Sequence, residues 1–147
     1  MDVIELRRMV MAQMASGVQG ANYAKGTFTT DTGSTYTLSF GKTFSSYLYY
    51  VEMTDASKTA LQNSGQTSAK MFACFGAYPN IEFGNSDAGG FLAFRVNPST
   101  NAIDKSASAA PSSINSTSIT FGNNAITGGS NGLYREYTYD YYIVEIK

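Results

Sequence analysis

The chain has 147 residues, with 10 Lys and Arg, 11 Asp and Glu, no His, no Trp, one Cys and 11 Tyr. This length fits one domain, and a net charge of −1 gives no basic surface for nucleic acid. Without His the chain cannot form a Ser-His-Asp triad, a Cys-His pair or an HExxH zinc site. A single cysteine also excludes an intramolecular disulfide. We therefore predict a protein that is not an enzyme and has no cofactor, no metal and no nucleic-acid partner.

The first predicted element is a short amphipathic helix over residues 2–15, within an N-terminal segment spanning 1–17. Asp2 can cap it, and Glu5 follows three residues later as in a capping box. Its apolar residues recur at helical spacing, and the stripe that they form consists of Val3, Leu6, Val10 and Met14. A helix this short is marginal in water by itself. The stripe therefore packs either on its own β-domain or on other subunits, and the second alternative predicts a homo-oligomer, with a trimer as one candidate.

The same segment lacks the order of residues that a signal peptide has. Asp2 and Glu5 come first, and Arg7 and Arg8 interrupt the run that should be apolar. No stretch approaches the 18 or so apolar residues that a membrane helix needs. We predict synthesis in the cytoplasm, no signal peptide and no membrane span.

Residues 18–147 are predicted to form a single mainly β domain, an antiparallel β-sandwich of jelly-roll-like type. The segment 47–53 is apolar on both faces, which is typical of a central strand. One short internal helix is predicted over 54–62, with Thr54 or Asp55 as its cap. The predicted strands are 26–30, 36–40, 47–53, 67–76, 80–83, 91–96, 117–122 and 133–147.

The later part of the chain is polar but almost uncharged. Between 97 and 132, 24 of 36 residues are Ser, Thr, Asn, Gly or Pro, and we interpret this stretch as loops around one strand. In the last strand, Tyr137, Tyr139 and Tyr141 share one face. Apolar residues occupy both faces towards the end of that strand, which predicts that its second half lies inside a sheet.

Two single residues, Cys74 and Glu52, are candidates for chemistry. Cys74 lies in an apolar run, which favours a buried small side chain over a nucleophile, because no His is present to activate it. Glu52 has apolar neighbours, so it is either an acid facing a groove or an ordinary edge or solvent-facing carboxylate. The Gly-rich stretches 84–90 and 127–132 lack the Lys-Ser/Thr of a phosphate loop and are interpreted as hairpin turns.

Tyrosine enrichment is the most unusual feature of the composition. Exposed Tyr with Asn and Ser is the chemistry of protein- and sugar-binding faces, where rings stack and hydroxyls form hydrogen bonds. We predict a surface contact role for Tyr134, Tyr137 and Tyr139. The alternative is that these rings form ordinary cross-strand pairs in a sheet.

Two segments carry a resemblance to a known group of proteins. The opening from Val3 to Met11 resembles the "IELRR" start of small structural proteins in the tail modules of phages and prophages from Gram-positive gut bacteria. The stretch from Gly26 to Lys42 resembles β-rich appendage domains of the same genes. This chain has two arginines where such openings often have three. The resemblance implies a virion-associated protein that self-associates and contacts other virion proteins or a host surface.

Two hypotheses result for the function. The first is a non-enzymatic phage-type structural or accessory tail protein, located in the virion, that acts in assembly and contacts a host surface. The second is a carbohydrate-binding module that recognises cell-surface glycans through a face of Tyr, Asn and Ser.

Overall fold

A computed structural model of the chain describes residues 22–64, 73–79, 95–96, 103–104, 111–124 and 132–145. The elements in these ranges are β1 (Tyr23–Thr29), β2 (Thr35–Ser39), β3 (Tyr47–Met53), α1 (Asp55–Asn63), β4 (Ala73–Tyr78), β5 (Arg95–Val96), β6 (Ile103–Asp104), β7 (Ser113–Ile114), β8 (Ser118–Asn124), β9 (Leu133–Tyr134) and β10 (Thr138–Glu145). The predicted N-terminal helix and its stripe of Val3, Leu6, Val10 and Met14 lie outside the described residues. The division into segments 1–17 and 18–147 stays a prediction.

The strands form two larger sheets and one small one. The first sheet has the order β1-β10-β3-β4, with all neighbours antiparallel. The second has the order β2-β8-β7, and β9 pairs with β8 in parallel. Strands β5 and β6 form an antiparallel pair. The prediction of a mainly β fold with antiparallel sheets and an internal helix is confirmed, and the β8–β9 pair is a parallel exception.

Strand β3 lies between β10 and β4, as the apolar residues on both of its faces predicted. Tyr47 and Tyr49 point to one face and Tyr50 to the other, and all three are fully buried. Burying a large side chain stabilises a fold by roughly 1.5–3 kcal/mol relative to leaving it exposed. This strand is therefore a main contributor to the core.

Aromatic rings connect the two larger sheets. Phe28 of β1 stacks on Tyr36 of β2, with ring centroids 5.0 Å apart. Tyr49 of β3 meets Phe121 of β8 edge to face, with centroids 6.2 Å apart. Because side chains alternate along a strand, these contacts define the inner face of each sheet.

Helix α1 is the predicted internal helix, and Thr54 is its cap. The Thr54 hydroxyl accepts a hydrogen bond from the Ser57 N–H at 3.3 Å, which satisfies one free donor of the first turn. Ser57 Oγ in turn accepts from the Thr138 N–H at 3.0 Å, so the helix start is attached to β10. Leu61 is the buried residue of the helix.

The predicted single strand over 133–147 is wrong in its first part. The chain forms β9, then turns at Arg135 and Glu136, and then forms β10; Glu136 has a φ of 66°. The turn is needed because β9 belongs to the second sheet and β10 to the first. Thr30 holds the turn, since its C=O accepts from the Glu136 N–H at 3.0 Å. The predicted interior position of the later residues is confirmed, because β10 lies between β1 and β3.

The remaining strand predictions have different outcomes. The predicted strand 117–122 is confirmed as β8, and that over 36–40 as β2. The one over 67–76 is found as β4 from Ala73 onwards and extends two residues further, to Tyr78, while its first part, 67–72, lies outside the described residues. The stretch 97–132 holds β6 and β7 besides β8, so the prediction of one strand there is wrong. The predicted strand over 80–83 and the Gly-rich stretch over 84–90 lie outside the described residues.

The buried tyrosines give a first stability prediction. Tyr47 Oη donates to the Asn115 C=O at 2.8 Å, whereas Tyr49 Oη has no hydrogen-bond partner among the described residues. A buried polar group without a partner is costly, and breaking a bond leaves the other partner unsatisfied. We expect Tyr47→Phe to lower the free energy of unfolding by about 1 kcal/mol, and Tyr49→Phe to leave it unchanged or raise it. Urea denaturation measures both, and an equal loss in the two variants would contradict the assignment.

Cys74 is fully buried in β4, as predicted. Burial raises the pKa of its thiol to about 12, although a backbone hydrogen bond at Val51 acts in the opposite direction. Because the thiolate is the reactive form, we expect Cys74 to resist a thiol reagent at pH 8 in the folded protein and to react completely in guanidinium. Rapid modification without denaturant would show that β4 opens readily.

Candidate contact surfaces

Two of the three tyrosines predicted as surface contacts are core residues. Tyr139 is fully buried and Tyr134 is 3% exposed. The Tyr134 N–H donates to Tyr139 Oη at 3.0 Å, and burial raises the pKa of Tyr139 far above its usual value. Tyr137 is partly buried against the core. The surface role is therefore wrong for Tyr134 and Tyr139. Tyr139 lies on the inner face of β10, where its ring stacks on Phe28 with centroids 5.6 Å apart, and Tyr134 of β9 belongs to the same core cluster.

Glu52, the candidate acid, forms an ion pair. It lies on the interior strand β3, where Lys58 of α1 places its Nζ 3.2 Å from Glu52 Oε1. The same Nζ is 3.9 Å from Asp55. Glu52 is thus neither an edge residue nor fully solvent-facing, and its carboxylate helps to hold the helix on the sheet.

The described ranges contain neither a metal site nor a membrane-spanning helix. Among the described residues, no group of three or more His, Cys, Asp or Glu side chains is placed to hold a metal ion. Nor does any described helix have both the length and the apolar character that crossing a bilayer requires.

The outer face of the second sheet is built from hydroxyl side chains. Thr37 of β2 and Thr120 of β8 are opposite each other, and their hydroxyl oxygens are 2.9 Å apart. Their sequence neighbours, Leu38 and Ile119, point inward and are buried. Strand alternation therefore places polar residues outside. We call this surface the hydroxyl face; its members are Thr35, Thr37, Ser39, Ser113, Ser118 and Thr120.

A shallow groove lies at one end of the hydroxyl face. Its volume is about 410 Å³, and its lining residues are Ser39, Gly41, Lys42, Thr43, Thr117 and Ser118. Gly41 has a φ of 73°, a left-handed conformation that glycine adopts without strain, and it turns the chain after β2. On the other side, Asn115 Oδ1 accepts from the Thr117 and Ser118 N–H groups at 2.9 and 3.0 Å. Both sides of the groove are therefore held by local structure.

An exposed tyrosine stands beside this groove. Tyr23 is 47% exposed, and within the described ranges it is the one large hydrophobic side chain with such exposure. Lys42 Nζ lies 5.9 Å from its ring centroid and donates to the Tyr23 C=O at 2.7 Å. Asn22 Nδ2 donates to the Thr43 C=O at 3.1 Å. We call the combination of Tyr23 with the lining residues the Tyr23–Lys42 groove.

The sequence interpretation missed this groove. It placed the first strand at 26–30, so Tyr23 fell outside a predicted element, and nothing local separates one exposed tyrosine from ten others. The usable signal was the alternation that begins at Tyr23, since Tyr23, Lys25 and Thr27 form the outward face of β1.

Together the groove and the hydroxyl face offer a ring, a cation and many hydroxyls, which suit contacts with a polar partner. No protein-family model, no curated protein and no solved structure matches the chain significantly.

Proposed function

We propose that this chain is a non-enzymatic structural or accessory protein of the phage tail type, located in the virion and acting in assembly and in contact with a host surface. Its two larger sheets would form a β-sandwich of jelly-roll-like type. The observation that carries the proposal is the hydroxyl face, an ordered surface of hydroxyl groups without charged side chains. Such a surface supports packing against other polar protein surfaces. The segment from Val3 to Met11, which resembles the opening of tail-module proteins, also supports this proposal.

Assembly would use the N-terminal stripe of Val3, Leu6, Val10 and Met14. We expect the full chain to be a homo-oligomer, with a trimer as one candidate. Leu6→Glu should reduce its mass in size-exclusion chromatography with light scattering, since it puts a charge into the apolar stripe. Arg8→Glu is the matched control, because the helical period places residue 8 opposite the stripe. A monomeric wild type, or equal effects of the two changes, would contradict assembly through the helix.

The virion assignment has its own test. We expect genes for a terminase, a capsid protein and a tape-measure protein beside the gene for this chain, and we expect mass spectrometry of purified particles to detect its peptides. Absence of the protein from particles that carry the neighbouring tail proteins would reject the proposal.

A second candidate function is recognition of cell-surface glycans. The observation that favours it is the Tyr23–Lys42 groove, where an exposed ring adjoins a cation and hydroxyl side chains. On an array of bacterial cell-wall glycans, we expect Tyr23→Ala and Lys42→Ala to weaken binding at least about tenfold, the loss of roughly 1.4 kcal/mol. Thr35→Ala is the control, an exposed hydroxyl outside the groove. Absence of binding by the wild type would reject this candidate.

A further inference from the structure

Strand β2 exposes one side of its backbone. Within the described residues it pairs with β8 alone, so it forms an edge of the second sheet. The Ser34 C=O accepts from the Asn123 N–H at 2.9 Å, and the Phe40 N–H donates to the Thr117 C=O at 3.0 Å. In an antiparallel ladder every second residue bonds to the partner strand. The N–H and C=O groups of Thr35, Thr37 and Ser39 must therefore point away from β8.

The edge at β1 differs from the edge at β2. The same alternation turns the backbone groups of Tyr23, Lys25 and Thr27 outward, since the Thr30 N–H donates to the Tyr137 C=O at 3.1 Å. Lys25 puts a charge on this edge, and the Tyr23 C=O already accepts a hydrogen bond from Lys42 Nζ. Proteins use such charges to prevent edge-to-edge pairing. Strand β2 has no charged residue, no proline and a continuous register with β8.

We propose that β2 pairs antiparallel with β2 of a second copy of this chain, about a two-fold axis at Thr37. The outward residues are symmetric about Thr37, so Thr35 would face Ser39 of the second copy. Each opposed pair would exchange two backbone hydrogen bonds. The second sheet would then continue from one copy into the other, and the hydroxyl faces would join side by side. Such an interface uses the same patch on both copies, as two-fold symmetry requires.

The charges near the ends of β2 favour this arrangement. Asp31 precedes the strand and Lys42 follows it, while the strand itself is uncharged. Antiparallel self-pairing brings the Asp31 end of one copy towards the Lys42 end of the other, whereas parallel pairing would put like charges together. A strand of five residues covers less than the roughly 1,000 Å² of a stable interface, so we expect a weak dimer. This inference goes beyond the proposed function and does not depend on it.

Cysteine cross-linking tests both the pairing and its register. In Thr37→Cys the two-fold axis would place the new cysteines opposite each other, with Cα atoms about 5.5 Å apart, within disulfide range. In Thr35→Cys the equivalent positions would be four residues apart along the strands, about 13 Å, too far for a disulfide. The native Cys74 is fully buried and does not interfere. We expect oxidation to yield a covalent dimer of Thr37→Cys and a monomer of Thr35→Cys on a non-reducing gel.

Several outcomes would overturn the proposal. They are an uncross-linked Thr37→Cys at the highest soluble concentration, and equal cross-linking of the two variants, which would indicate random collision or another register. Pairing of β2 with a strand of a different protein would also leave Thr37→Cys monomeric.

Sedimentation equilibrium gives a second measurement without cysteine. Thr37→Lys sets like charges across the axis and should weaken self-association at least about tenfold, whereas Thr27→Lys on the β1 edge should not. An equal effect of the two lysines would reject the β2 edge. Association through the N-terminal helix is tested by Leu6→Glu, and pairing of β2 is tested by the changes at Thr37. Failure of one proposal can therefore be distinguished from failure of the other.

Discussion

Gly132→Ala is expected to lower the free energy of unfolding by about 3 kcal/mol or more. Gly132 has a φ of 103°, which side chains other than glycine's rarely adopt. A Cβ at this position would also lie 2.6 Å from the carbonyl carbon and 2.8 Å from the Cα of Gly122. Gly122 belongs to β8, which pairs with β2, β7 and β9, so its backbone cannot move without disturbing the second sheet. The backbone strain of the positive φ and the collision of the new Cβ with Gly122 therefore both lower the stability of the variant.

Gly41→Ala is the matched control for this substitution. Gly41 also has a positive φ, 73°, but its Cβ would meet no atom within 4 Å. Gly41→Ala should lower the free energy of unfolding only by the cost of a left-handed backbone conformation for alanine, about 1–2 kcal/mol. Guanidinium denaturation of both variants separates strain from collision. Equal losses would show that the close approach of Gly132 to Gly122 contributes nothing.

Asn123→Leu is the second substitution for which we expect a large effect, a loss of about 3 kcal/mol. Asn123 is fully buried on β8. Its Nδ2 donates to the Asp31 C=O at 2.8 Å, to Asp31 Oδ1 at 3.0 Å and to the Gly33 C=O at 2.9 Å. The leucine would leave the Asp31 C=O without this donor, whereas the Gly33 C=O keeps a bond from Arg135 Nε at 3.0 Å. Thermal or urea denaturation measures the loss.

A second change at this position tests whether the amide N–H groups are responsible. Asn123→Asp keeps the shape but turns a donor into an oxygen that faces Asp31 and two carbonyls. Burial among these oxygens would raise the pKa of the introduced carboxyl, so its charged form is disfavoured in the folded state. We expect the stability relative to wild type to fall as the pH rises from 4 to 8. A difference that does not change with pH would contradict this role of the amide.

Both positions bear on the proposed pairing surface. The Asn123 side chain bonds to the turn between β1 and β2, and its N–H bonds to Ser34 at the start of β2. Gly132 allows β9 to lie against the other side of β8. The β2 edge is therefore held in place by buried contacts, although its own outward residues are exposed.

Local sequence patterns determined several features correctly. Apolar residues on both faces of 47–53 predicted an interior strand, because a strand covered on both sides must be apolar on both sides. The sequence predicts Thr54 or Asp55 as the helix cap, and Thr54 is the cap because its hydroxyl satisfies a free N–H of the first turn. The apolar run around Cys74 predicted its burial. Each of these features depends on a residue and its near neighbours in the chain.

The tertiary structure alone decided which tyrosines are exposed and which edge among the described strands is open. Tyr23 and Tyr139 both lie on strands with alternating patterns, yet one is exposed and the other fully buried. Tyr23 lies on the outward face of the edge strand β1, whereas Tyr139 lies on the inner face of β10 and stacks on Phe28 with ring centroids 5.6 Å apart. The break at Glu136 arose for a similar reason, since the chain must pass from one sheet to the other. The sequence by itself determined a β-rich chain with few charged residues, 14% of the total. Only strand pairing across distant parts of the chain decided where the surface offers a groove, a hydroxyl face and a free edge, because pairing is a long-range contact that local periodicity does not encode.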